Sequence, residues 1–146
     1  MPRRNAMKRD PDCVFCKIVE GAIPSFKLFE NDATLAFMDI NPLNDGHCLV
    51  IAKPHHPDLF DLPPALFAEV AQSLARVARA VRDVVAPEGL NLLQANGRAA
   101  AQSVPHFHVH VVPRRMNDGA SLNWTPRPGD MKAIGQIAER IRARIA

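Results

Sequence analysis

The 146-residue chain contains no apolar run near the roughly 18–20 residues that cross a bilayer. A membrane-spanning helix is therefore not expected. The opening stretch MPRRNAMKRDPD is basic and polar with no apolar segment behind it, so a secretory signal is not expected either. Residues 1–12 read as a flexible basic tail and 13–146 as one domain. Only three cysteines are present, an odd number, which argues against a disulfide framework and fits a cytoplasmic protein. Internal repeats, low-complexity tracts and domain-splitting linkers are missing too. Charge is not concentrated: the net value is +3, the isoelectric point is near 9.0, and arginines are spread along the chain. Arg76, Arg79 and Arg82 fall on one helical stretch and read as a solvated face, so no nucleic-acid partner is expected. A mild basic excess suits a small anionic substrate.

What is present is a core and a concentrated set of histidines. Hydrophobic residues make up 47% and charged residues 23% of the chain, the balance of an ordinary globular domain. The histidines number six, and all fall in two short clusters, at 47, 55 and 56 and at 106, 108 and 110.

Periodicity outlines the elements around these clusters. CVFCKIVEG reads as a short helix closed by Gly21 and Pro24. Strand-like runs follow at 25–30, 34–39 and 47–52, separated by turn chemistry in END and NPLNDG. Over 62–86, Leu66, Val70, Leu74, Val77, Val81 and Val84 recur at threes and fours as one apolar stripe. Asp61 stands where an N-cap would, and Pro87 closes the far end. A strand at 90–94 leads through the loop ANGRAAAQSVP to the histidine strand, which Pro113 ends. A polar loop with Trp124 precedes a short helix from about 131 to 145, with Ile134, Ile137, Ile141 and Ile145 on one face. Five strands, one long helix and two short ones in this order predict an α+β domain built on an antiparallel sheet.

HFHVHVV places His106, His108 and His110 on one face of a strand, with Phe107, Val109 and Val111 on the other. Successive histidines lie about 6.7 Å apart and the outer two roughly 13 Å apart. Zn–N bonds of about 2 Å therefore forbid a single metal bound by all three, and a division of labour follows. The loop before them offers small residues and the neutral donors Gln102 and Ser103, a way to hold phosphate oxygens without a glycine-rich loop. CVFC, at Cys13 and Cys16, is open at this point between a metal half-site, a redox pair and chance. Cys48, inside HCLVIA, reads as a small buried hydrophobe.

HFHVHVV resembles the signature of the histidine-triad nucleotide hydrolases and transferases, His-φ-His-φ-His-φ-φ with φ apolar. CVFCKIVEGAIPS, LAFMDINPLNDGHCLVIAKPH and NGRAAAQSVPHFHVHVVPR extend the resemblance over residues 13 to about 115. It implies a dimerising α+β fold and attack by His108 on the α-phosphorus of a nucleotide. The resulting nucleotidyl-histidine is hydrolysed by water, so the chain would be a phosphoramidase-like nucleotide hydrolase or nucleotidyl transferase. His110 and His47 accompany the nucleophile. Gln102, Ser103 and Asn96 contact phosphate, and Asp39 binds the ribose hydroxyls. Phe15, Ile18, Phe37 and Ile40 form the base pocket for a purine nucleotide or nucleotide conjugate. Similarity to zinc-binding bacterial members implies a structural zinc on Cys13, Cys16, His55 and His106, with no cofactor needed for the chemical step. Ala101 and Ala95 depart from the family pattern, which places a glycine before Gln-Ser and an asparagine two residues before the loop glycine. Two other functions compete with a phosphoramidase: hydrolysis of diadenosine polyphosphates, and a zinc-dependent interaction module without turnover.

Overall fold

Alternation along the strands decides which side of the sheet each residue serves. The computed structural model describes residues 7–122 and 125–145. Within them the elements run α1 (Val14–Val19), β1 (Lys27–Glu30), β2 (Thr34–Met38), β3 (Cys48–Ala52), α2 (Pro64–Val85), β4 (Gly89–Leu93), β5 (His108–Arg114) and α3 (Met131–Arg142). The strands form one antiparallel sheet in the order β1-β2-β3-β5-β4. The expected α+β architecture is thus the one formed. Trp124 lies outside the described residues.

Even-numbered residues of β2 and β3 and odd-numbered residues of β5 turn toward α2. Ala36, Cys48, Val50, Phe107, Val109 and Val111 meet Val70, Val77 and Val81 there in the larger core. The opposite face carries Leu35, Phe37, Leu49 and Ile51 against Cys13, Phe15 and Cys16 of the α1 segment. His108 pairs with Ile51 and His110 with Leu49 on that same face. The sheet therefore separates a helix-covered structural side from a side on which α1 covers only part, leaving a cleft.

Three local expectations are corrected. The N-cap of α2 is Pro63, which makes no side-chain cap bond; Asp61 turns its carboxylate to His56 and Lys8 instead. Pro113 lies inside β5 rather than ending it. Pairing with β3 stops at Val111, so the N–H that proline lacks is not required there. Val84 is 85% exposed, and Val85 carries the α2 stripe to its end. No described residue of α3 is buried, and Ile134, Ile137, Ile141 and Ile145 are all exposed. Residues 8 and 9 make contacts with the rest of the chain. The Lys8 carbonyl accepts the His55 N–H at 2.8 Å, and Arg9 pairs with Glu20 at 3.6 Å.

Two polar devices join the layers. Asn44 donates to the Pro113 carbonyl and to Asp118, whose carboxylate also holds Arg114 at 2.7 Å. The guanidinium keeps the Asp118 carboxyl well below the usual carboxylate range. The turn before His47 is thereby tied to the end of the histidine strand. The second device is buried. The Thr34 hydroxyl lies 2.9 Å from Asn31 Oδ1 and 2.7 Å from the Ser73 hydroxyl of α2. An amide oxygen only accepts, so Thr34 donates to Asn31 and Ser73 donates to Thr34. Ser73→Ala should therefore cost about 1 kcal/mol, while Thr34→Val should cost more because it also leaves a buried Ser73 donor without its acceptor. Urea unfolding of the two variants checks this; an equal or smaller loss in Thr34→Val would contradict the direction of the chain.

Candidate active site and metal-ligand cluster

Hydrogen-bond acceptors fixed in the backbone determine what each histidine of β5 can do. The His108 ring places Nδ1 2.6 Å from the His106 carbonyl. A carbonyl cannot donate, so Nδ1 carries the proton and Nε2 keeps its lone pair. His108 is only 5% exposed, yet no buried side-chain nitrogen or oxygen among the described residues lacks a partner. Nε2 is therefore open to the cleft. His47 makes the opposite choice: its Nδ1 accepts the Leu43 N–H at 2.9 Å, which leaves the proton on Nε2. That proton points at His110 Nδ1, 2.8 Å away, and His110 consequently presents Nε2–H outward. Asp39 Oδ2 stands 3.4 Å from His47 Nε2 and 3.9 Å from His110 Nδ1.

Burial favours the neutral ring. Desolvation lowers the pKa of His47 and of His108, and takes His110 down to about 4. The site thus combines an unprotonated, nucleophilic nitrogen on His108 with an N–H donor on His110 at neutral pH.

The cleft these groups face has a volume of about 370 Å³, of the size that holds a small ligand. Phe15, Ile18, Phe37 and Ile40 line it, as the resemblance implies, together with Asp39, Ser103, His108 and His110. The Phe15 ring meets His108 edge-on at 5.1 Å and Phe37 at 5.5 Å; Ile40, 76% exposed, forms the rim. Val14, Ile23, Pro24, Ser25, Met38, Asn41, Leu49 and Val104 complete the wall, none of them read from the sequence as a site residue. For Pro24 and Ser25 the sequence holds no signal beyond their place in the resembling stretch.

Two expected phosphate contacts are turned to other work. Gln102 accepts the Gly97 N–H and donates to the carbonyls of Pro57 and Val104. Asn96 accepts the Leu59 N–H and exchanges bonds with Gln94. Both amides brace the loop, and neither lines the cleft. Ala101 adopts φ 63°, ψ 30°, the left-handed region, which costs an L-residue about 1–2 kcal/mol. The family's glycine at this position answers a backbone need, and the alanine methyl strains the loop.

A second constellation lies beside the first. His106 Nε2 is 2.6 Å from the Ala52 carbonyl and so donates to it, leaving the Nδ1 lone pair facing Cys13 Sγ at 3.3 Å and Cys16 Sγ at 3.6 Å. His55 Nδ1 comes within 3.3 Å of His106 Nδ1 and 3.4 Å of Cys16 Sγ. All four ligand atoms lie within 4.8 Å of one another. A tetrahedron with Zn–N near 2.05 Å and Zn–S near 2.3 Å has edges of about 3.3 Å between nitrogens and about 3.6 Å between nitrogen and sulfur. The observed spacings match. A ring nitrogen that can only accept, facing two thiols and a second imidazole, is a donor set built for a cation. His56, next in the chain to His55, has its Nδ1 committed to Asp61 at 2.9 Å.

The pattern that defines the HIT domain matches residues 20–117. The adenosine 5′-monophosphoramidase of Saccharomyces cerevisiae is 35% identical over 137 residues, covering 93% of this chain and 84% of that protein. Among solved structures, a HIT family protein of Bacillus anthracis superposes with a TM-score of 0.88 at 36% identity, covering 94% of this chain and 100% of the other. A Zn-bound histidine-triad protein of Mycobacterium smegmatis superposes with a TM-score of 0.71 at 39% identity, over 92% and 95% of the two chains. With its sheet order, its histidine strand and these likenesses, the chain belongs to the HIT-domain family.

Proposed function

We propose that the protein is a nucleotide hydrolase that cleaves nucleoside phosphoramidates or related nucleotide conjugates at the α-phosphorus through a nucleotidyl-His108 intermediate. The observation that carries this reading is the His108 tautomer: Nδ1–H is spent on the His106 carbonyl, and Nε2 faces the cleft. A neutral imidazole nitrogen aimed at an apolar slot with an adjacent N–H donor suits attack on phosphorus, and the resulting phosphoramidate is open to water. His110 Nε2–H and Ser103 hold the phosphate, Asp39 takes the ribose hydroxyls, and the apolar wall takes the base. The adenosine 5′-monophosphoramidase relative supports the choice of substrate class. Diadenosine polyphosphate hydrolysis uses the same groups; a turnover screen with an adenosine phosphoramidate beside diadenosine polyphosphates ranks the two and also detects a module without turnover.

The reading includes a structural zinc held by Cys13, Cys16, His55 and His106. Four N/S ligands close the tetrahedron and leave no position for substrate. When bound, the ion ties α1, and with it Phe15, to the histidine strand. The reading further includes a cytoplasmic homodimer joined along α2 and the open edge at β4. No helix among the described residues is long and apolar enough to cross a membrane.

His108→Ala should fold and bind nucleotide but lose more than a hundredfold in turnover, since removing the nucleophile removes the path. A residual rate above one hundredth, a barrier change below about 2.7 kcal/mol, would reassign the nucleophile. The pH profile follows from burial. A histidine whose pKa lies below the ordinary 6.5 stays unprotonated until the pH falls below that value. The acid limb of kcat/KM should accordingly lie under pH 6.5, and a limb at or above it would contradict a buried neutral nucleophile.

Metal analysis should find one zinc per chain, lost in Cys13→Ser and His55→Ala and kept in His56→Ala. Chelation should lower the melting temperature and raise hydrogen exchange over residues 13–20, because the free energy of filling a site absent from the unfolded chain adds to folding. Stoichiometric zinc in either of the first two variants would remove that ligand from the set.

A further inference from the structure

We infer that the cysteine–histidine cluster and the cleft are thermodynamically linked, with Phe15 as the link: a cation on the four ligands tightens nucleotide binding, and bound nucleotide tightens the hold on the cation. This rests on the nucleotide and zinc readings above and adds a coupling between their two sites.

The two walls of the cleft are secured differently. Phe37, Leu49, His108 and His110 belong to strands whose backbones are paired in register, so that wall stands whatever the cluster holds. The other wall is made by Val14, Phe15, Ile18, Ile23, Pro24 and Ser25. Among the described residues, no hydrogen bond joins residues 13–25 to a strand of the sheet. Beyond apolar packing, they are held by Cys13 Sγ at His106 Nδ1 and Cys16 Sγ at His55 Nδ1. The preceding residues add the Lys8 carbonyl on the His55 N–H and the Arg9 guanidinium on the Cys16 carbonyl at 3.4 Å. Those bonds converge on two of the same four residues.

Without that hold α1 has little to keep it in place. It is six residues long, well under the roughly 12–15 at which an isolated helix becomes even marginal in water. Its N-cap is Cys13, whose sulfur accepts the Cys16 N–H at 3.4 Å, so a metal ligand also closes the start of the helix. Phe15 lies between the two cysteines in the chain and is buried. Its ring is 5.8 Å from that of His106, in the cluster, and 5.1 Å from that of His108, in the cleft. One side chain therefore packs against a ligand of the cation and against the group that faces the nucleotide.

The linkage follows from this arrangement. With the ligands empty, two thiols and two imidazoles exchange only weak sulfur hydrogen bonds, and α1 leaves its docked position more often. A base stacks on the docked wall alone, so nucleotide affinity falls by the fraction of molecules in which that wall is formed. Filling the cluster restores the fraction. Because the coupling is a free energy shared by the two sites, nucleotide must raise metal affinity by the factor by which metal raises nucleotide affinity. The ribose and phosphate meet the strand side of the cleft and do not depend on α1.

Binding measurements test this without turnover. Calorimetric titration should give an AMP dissociation constant at least about fivefold weaker in chelator-treated protein than in zinc-loaded protein, with circular dichroism establishing that the treated sample is folded. The reciprocal arm does not depend on that sample: the zinc affinity of the loaded protein, read by competition with a chromogenic chelator, should rise by the same factor when AMP is saturating. Ribose 5-phosphate, which has no base to lie against α1, should bind alike with and without zinc. Phe15→Ala should keep its zinc and lose most of the AMP ratio. Equal AMP affinity in the two folded forms, or a zinc affinity unmoved by AMP, would overturn the link. A ratio undiminished in Phe15→Ala, or equally large for ribose 5-phosphate, would overturn it as well. Failure of zinc-loaded protein to bind AMP, or purified protein without zinc, would instead remove the nucleotide or the zinc reading itself, and the link with it.

Discussion

The carbonyl of His106 and the ring attached to the same residue set the terms for both constellations. The carbonyl accepts a hydrogen bond from His108 Nδ1–H at 2.6 Å, and the ring donates its own Nε2–H to the Ala52 carbonyl at 2.6 Å. Each bond fixes a tautomer, and each tautomer aims a lone pair: His108 Nε2 into the cleft, His106 Nδ1 at the cysteines. Ala52 is the last residue of β3 and pairs with Thr34, so the register of the central strands places the acceptor. A one-residue slip of the histidine strand would send His106, His108 and His110 to the α2 face. The chemistry of the site is thus a consequence of strand register, with the helix-side core of Val50, Phe107, Val109 and Val111 holding that register in place.

Burial then decides protonation. Rings packed between Phe15, Leu49 and Ile51 lose the water that would stabilise a charge, and their pKa values fall. A histidine in solution is partly protonated at neutral pH and would be a poorer nucleophile or ligand. The same apolar wall that suits a flat base keeps the imidazoles neutral. Phe15 serves both ends of this arrangement. It meets His106 at 5.8 Å and His108 at 5.1 Å, and it stands between Cys13 and Cys16, so whatever orders the cysteine pair also sets one wall of the cleft.

Features that obey a strict period could be read directly from the residues. Alternation in HFHVHVV separates the ligand face from the core face, and the threes and fours of Val70, Leu74, Val77 and Val81 define α2. The distance argument that divided three histidines between two tasks follows from strand rise alone. What escaped depends on atoms brought together from distant positions. Asp61 has the residue type and position of an N-cap, yet His56 and Lys8 compete for it in space. Gln102 and Asn96 look like phosphate ligands because they are polar and stand beside the histidines. Only the fold shows that the carbonyls of Pro57 and Val104, and the N–H groups of Gly97 and Leu59, use them first. Pro113 stops a strand in most contexts; here the neighbouring strand is already too short to miss its N–H.

The loop that these amides brace shows how such competition shapes a binding site. With Gln102 and Asn96 turned inward, the end of the cleft beside the histidine strand keeps Ser103, His108 and His110 as its polar lining. Such a site does not depend on long flexible amides that would have to be ordered at each encounter. Its donors sit on a strand, or on a loop pinned to that strand. The left-handed Ala101 is held by the Ala101 N–H to the Arg98 carbonyl and the Gln102 N–H to the Gly97 carbonyl. Strain of that size persists only where the surrounding bonds over-determine the backbone. The brace made by Gln102 and Asn96 is what makes an alanine tolerable where the family places glycine, with Ser103 beside it in the lining of the cleft.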